Sequence, residues 1–117
     1  MELEINGGIY KFVFGFGFVK EMNKRYSVEG NGLKMNAGLD TIIVNLLTSD
    51  TETLIETLKV ANITEKPRIS EKDLIEYVGK DADVDQLFDW VIDGLKESGF
   101  TKRKTSKLIE QIEEKTN

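Results

Sequence analysis

The chain has 117 residues, which fits one domain large enough to fold on a hydrophobic core of its own. It contains no cysteine and no histidine, so disulfides, thiolate metal sites, imidazole ligands and the commonest general base are excluded. With 16 Lys and Arg against 21 Asp and Glu, its net charge is −5, and an acidic chain repels a phosphate backbone.

Taken in chain order, Met1-Glu2-Leu3-Glu4 starts acidic and alternating, which predicts no secretory leader. Leu3 and Ile5 alternate with charge, and Asn6-Gly7-Gly8 offers hairpin-turn chemistry, so residues 2–14 read as a β-hairpin. Its return strand places Tyr10, Phe12 and Phe14 on one face and Val13 on the other. A helix starts near Gly17 and carries Phe18, Val19, Met22 and Tyr26 at helical spacing. Residues 27–38, with Gly30, Gly32 and Gly38, read as a loop. Leu39, Ile42, Ile43, Leu46 and Leu47 form one apolar stripe. Ser49 with Glu52 then matches a capping box for a helix bearing Leu54, Ile55, Leu58 and Ala61.

Past the connector around Pro67, Ser70 is the expected N-cap of a helix holding Leu74, Ile75 and Val78, with Ile69 stapled on Leu74 and a stop at Gly79. Asp83 caps the next helix, which buries Leu87, Phe88, Val91, Ile92 and Leu95 and ends at Gly99. Residues 101–117 differ. Lys102, Arg103 and Lys104 at the start and Glu113 and Glu114 near the end oppose the helix dipole. Apolar residues are few, so the segment is marginal as an isolated helix and is expected to be mobile or ordered only against another chain. The expected architecture is α+β: an N-terminal hairpin packed on five to six short helices, with one domain over 1–100 and a charged helix or tail over 101–117.

Several motifs point to chemistry and fail on inspection. Gly15-Phe16-Gly17 opens like a phosphate loop, but the third glycine of that fingerprint falls on Lys20. Asp81, Asp83 and Asp85 open like a calcium loop, but Gln86 and Ile92 stand where glycine and a bidentate glutamate are needed. A carboxylate-based hydrolase built on these three aspartates is the enzymatic rival to a binding role. Asn62-Ile63-Thr64 matches a glycosylation sequon that an intracellular chain does not use. No cofactor or metal site is expected.

Three features point to binding. Asp85, Asp89 and Asp93 form an acidic row on one helix, and Trp90 lies beside it off the apolar stripe. These four residues are the expected partner-binding surface. Phe12, Phe14 and Phe16, on a hairpin with unpaired edges, are the expected self-association surface. The basic run at 102–107 supports an alternative reading, a small nucleic-acid-associated regulatory protein, although no aromatic residue is interleaved with it. Residues 101–117 carry a net +2 and residues 1–100 a net −7, which also favours head-to-tail contact between copies.

Glu4-Ile5-Asn6-Gly7, Phe14-Gly15-Phe16-Gly17-Phe18-Val19-Lys20-Glu21 and Asn23-Lys24-Arg25-Tyr26, with the glycine-rich stretch that follows, resemble the tail assembly chaperones of long-tailed phages and prophages of Gram-positive bacteria. The resemblance is sharpest over residues 2–47 and continues more loosely to Leu95. It implies a non-enzymatic protein of the host bacterial cytoplasm that coats the tape measure protein and helps recruit tail tube subunits. It implies no residue-level site.

Overall fold

The computed structural model describes residues 1–116; the end of the 101–117 segment, Asn117, lies outside the described residues. Strands β1 (Glu2–Ile5) and β2 (Gly8–Lys11) pair antiparallel, with Leu3 opposite Tyr10 and Ile5 opposite Gly8. The turn between them is Asn6-Gly7, both at positive φ (52° and 79°), the conformation a two-residue hairpin demands. Beyond Lys11 the backbone stays extended. Phe12 N–H donates to the Met1 carbonyl and Val13 N–H to the Ala61 carbonyl, both at 2.8 Å. This run carries Phe12 and Phe14 into the core and ends at α1 (Phe16–Arg25), where Phe18 and Met22 are buried.

Residues 27–38, expected as a loop, hold a second hairpin. Strands β3 (Ser27–Gly30) and β4 (Leu33–Asn36) pair antiparallel around Asn31-Gly32, at φ 51° and 76°. Of the glycines that read as loop composition only Gly32 makes the turn; Gly30 ends β3 and Gly38 opens the next helix, and Val28, Gly30, Leu33 and Met35 alternate along the two strands.

Helices α2 (Gly38–Leu47) and α3 (Thr51–Ala61) follow as expected from their apolar stripes, but their junction differs. Ser49 is not the cap of α3. It sits at φ 65°, its N–H donating to the Leu46 carbonyl, while Asp50 N–H reaches back to Asn45. That is the Schellman arrangement with serine in the usual glycine position. The cap is Asp50, whose carboxylate accepts from Thr53 N–H at 3.1 Å. Ser70 caps α4 (Glu71–Glu76) through Asp73 N–H at 3.1 Å, as its spacing predicts. The chain then widens into a π-helical turn, Tyr77–Asp81, closed by Ala82 N–H to the Tyr77 carbonyl, so Gly79 lies inside a turn and terminates nothing.

Asp83 caps α5 (Val84–Glu97) through Gln86 N–H at 3.1 Å. Gly99 does not take the left-handed conformation at its end. Hydroxyls make that corner instead: Ser98 donates to the Phe14 carbonyl and Thr101 to the Leu95 carbonyl. Gly94 lets α5 approach the N-terminal segment closely, since a Cβ there would sit 2.6 Å from both Met1 Sδ and the Phe14 ring.

Residues Lys102–Thr116 form α6, which lies against α2 and α5 of the same chain. Thr101 and Thr105 are buried, Leu108 packs on the core, and Lys104 pairs with Asp40 of α2 at 3.2 Å. Packing and this ion pair supply what the dipole and the sparse apolar residues do not. The fold is α+β: two small antiparallel hairpins and, among the described residues, six α-helices around one core of Phe12, Phe14, Phe18 and the inner faces of α2, α3 and α5.

Candidate partner-binding surfaces

Helix α5 presents two faces. Leu87, Val91 and Leu95 point inward and are buried. Asp85, Asp89 and Asp93, four residues apart, all stand exposed on the outer side. Trp90 lies on the boundary between the two, half-buried. Its ring meets Phe12 edge-to-face, with centroids 6.1 Å apart and planes at 80°. Its outer side lines a cleft of about 170 Å³ with Leu3, Tyr77, Asp83, Gln86 and Leu87. Of the four residues singled out for partner binding, the three carboxylates stand on the outer side of α5 and Trp90 at its boundary with the buried side; none of the three carboxylates lines the Trp90 cleft.

The residues singled out for self-association separate. Phe12 and Phe14 are buried in the core of their own chain, whereas Phe16 is 64 % exposed. Phe16 lies instead beside Phe100, 62 % exposed, with ring centroids 6.1 Å apart. Two adjoining hollows run from this pair along α1. One is lined by Phe16, Val19, Lys20, Lys24, Lys34 and Asn36, among others. The other adds Leu39, Phe100, Arg103, Lys104 and Lys107. Sequence reading found the 102–107 basic run but not the aromatic pair beside it. The contributing elements α1, β4 and α6 are remote in sequence, so no local signal joins them.

Hairpin β3–β4 is exposed at all eight strand positions. Lys34 and Asn36 face the hollow on α1, which by strand alternation leaves Val28, Leu33 and Met35 on the opposite, outward face.

Between α1 and α3 a set of polar side chains is engaged structurally. Tyr26 donates to a Glu56 carboxylate oxygen, and Arg25 pairs with Glu21 at 3.1 Å and Glu56 at 3.3 Å. The hydrogen bond to Glu56, helped by burial, pushes the Tyr26 phenol up to about 12. Burial works against the Arg25 charge, but its hydrogen bonds to Glu21 and Glu56 more than offset this and raise its pKa. Among the described residues no group of three or more carboxylates is placed to hold a metal ion, and no helix is long and apolar enough to cross a membrane.

No curated protein and no solved structure matches the chain. A family model does, over residues 2–110, nearly the whole length and well beyond the N-terminal motifs. On that match, the chain belongs to the phage tail assembly chaperone protein family, TAC.

Proposed function

We propose that this chaperone works in the host bacterial cytoplasm, where it coats the tape measure protein during tail assembly and helps bring tail tube subunits to it. The observation that carries this reading is the family match over residues 2–110. The α5 surface supports a binding role. A half-buried tryptophan beside an open cleft and a row of exposed carboxylates suits a helical partner with an apolar stripe and basic flanks. Asp85, Asp89 and Asp93 steer that partner and speed its encounter. Trp90 supplies affinity, on the order of 2 kcal/mol as an interface anchor.

The test is co-expression with a tape measure protein of the same phage or prophage. The two are expected to co-purify, and Trp90→Ala is expected to weaken the complex well beyond any loss of folded protein. Asp89→Lys with Asp93→Lys slows association, most at low salt. If Trp90→Ala lowers binding only in proportion to lost folded protein, Trp90 is core and the surface lies elsewhere. If the wild-type chain does not co-purify, the partner assignment fails.

A further inference from the structure

The hollow between α1, β4 and α6 is the most unusual surface of this acidic chain. Its floor is apolar: the exposed Phe16–Phe100 pair continues into half-buried Val19 and buried Leu39. Its rim is cationic and drawn from three elements, Lys20 and Lys24 on α1, Lys34 on β4, and Arg103 and Lys107 on α6. Two carboxylates also line it, and both are already neutralised, Glu21 by Arg25 and Asp40 by Lys104. Among the described residues none of the five rim cations takes part in an ion pair. A chain of net charge −5 thus gathers five cationic side chains, none of them in an ion pair among the described residues, around two solvent-exposed phenyl rings, with Glu29 opposite Lys34 in the β3–β4 ladder the one acidic residue set against them by strand pairing.

We propose that this hollow is a second docking site, and that its occupant is an acidic amphipathic helix of a protein partner. Apolar side chains of such a helix cover the phenyl rings and Val19, and carboxylates on its flanks meet the rim. Charge complementarity selects the occupant. A nucleic-acid strand fits less well, because the overall charge opposes it and the two rings are tilted at 55° and offer no continuous stacking platform. A second copy of the chain offers the acidic row of α5, but the stripe of Leu87, Val91 and Leu95 on that helix is buried and Trp90 is half-buried against Phe12, which leaves too little free apolar surface to cover two exposed phenyl rings. The site shares no lining residue with the Trp90 cleft and stands whether or not that cleft binds the tape measure protein.

The experiment titrates the full chain into a labelled peptide of about 18 residues, five helical turns. The peptide carries leucines along one stripe and glutamates on its flanks. A twin with lysine in place of glutamate and an oligothymidylate of similar length are the comparisons. The acidic peptide is expected to bind saturably, and the lysine twin on the order of tenfold more weakly or worse. Lys24→Glu with Arg103→Glu, and separately Phe16→Ser with Phe100→Ser, are expected to weaken peptide binding by a similar factor. All four side chains are exposed, so thermal melts should be unchanged. Trp90→Ala leaves peptide binding as it was, which separates this site from the one proposed above. Equal binding of the lysine twin overturns the proposal, as does tighter binding of the oligonucleotide that the charge reversals abolish. A change in sedimentation of the charge-reversed chain alone, with peptide binding untouched, assigns the surface to self-association and overturns it too.

Discussion

Asn62 is fully buried where three segments meet. Its amide donates to the Lys11 carbonyl at 2.9 Å and the Pro67 carbonyl at 3.1 Å, and its oxygen accepts from Ile69 N–H at 2.7 Å. One side chain thereby ties the end of β2, the Pro67 connector and the entry to α4 onto the end of α3. The acceptor asparagine of the sequon is therefore sealed in the interior, although Thr64 is exposed. Asn62→Ala leaves a buried N–H and two carbonyls without their partner, and each unsatisfied group costs about 1–3 kcal/mol. With partial rescue by water, a loss of roughly 2–4 kcal/mol is expected in urea denaturation. Asn62→Asp is no rescue, because it keeps the acceptor, loses both donors and buries a charge. Sequence could not mark this residue: its role depends on Lys11, 51 positions away.

Between α2 and α3, Ser49 occupies a position that favours glycine. A non-glycine residue in the left-handed region costs roughly 1–2 kcal/mol, partly offset in glycine by greater freedom of the unfolded chain. Ser49→Gly is therefore expected to stabilise the protein by about 0.5–1 kcal/mol, read as a higher denaturation midpoint at unchanged slope. The same junction shows what local patterns can and cannot resolve. Ser70 and Asp83 were legible as caps because each is followed three residues later by a polar residue, Asp73 or Gln86, at the start of an apolar stripe. Thr48-Ser49-Asp50 offers three candidate caps in a row, and the choice falls to Asp50 only because Ser49 is needed to close α2. Hairpin β3–β4 was hidden by its glycines, although Asn31-Gly32 is a strong turn signal on its own. Helix α6 was undervalued for the opposite reason: its support comes from α2 and α5, which no window on residues 101–117 contains.

Across the whole molecule, apolar periodicity made the core legible. Phe18, Met22, Ile42, Leu54, Leu58, Leu74, Val91 and Leu95, read as inward-facing from spacing alone, are all buried. The exposed acidic row of α5 was equally legible, since three aspartates on one helix face need only the 3.6-residue period. The basic hollow was not, because it exists only once α1, β4 and α6 are brought together. Tertiary contact also sets how stability responds to alkali. Tyr26 at the end of α1 donates to Glu56 on α3, and its pKa rises from 10.0 to about 12 on folding. A raised folded-state value means that the contribution is complete below pH 10 and is lost as pH climbs through about 12. Melting temperature is expected to fall across that window in the wild type, and Tyr26→Phe to flatten this part of the profile while lowering stability at neutral pH.

Trp90 is the single tryptophan of the chain, so indole emission comes from one known place. The ring is half in the core, edge-on to Phe12, and half in the cleft beside the acidic row. Unfolding exposes it to water and moves its emission to the red, while a helix settling into the cleft removes its remaining water and moves it to the blue. An occupant of the hollow between α1, β4 and α6 touches none of the residues around it and leaves the spectrum in place. The native chain therefore carries its own optical label, one that distinguishes loss of fold, engagement of the α5 face and engagement of the opposite-signed surface without the attachment of a dye.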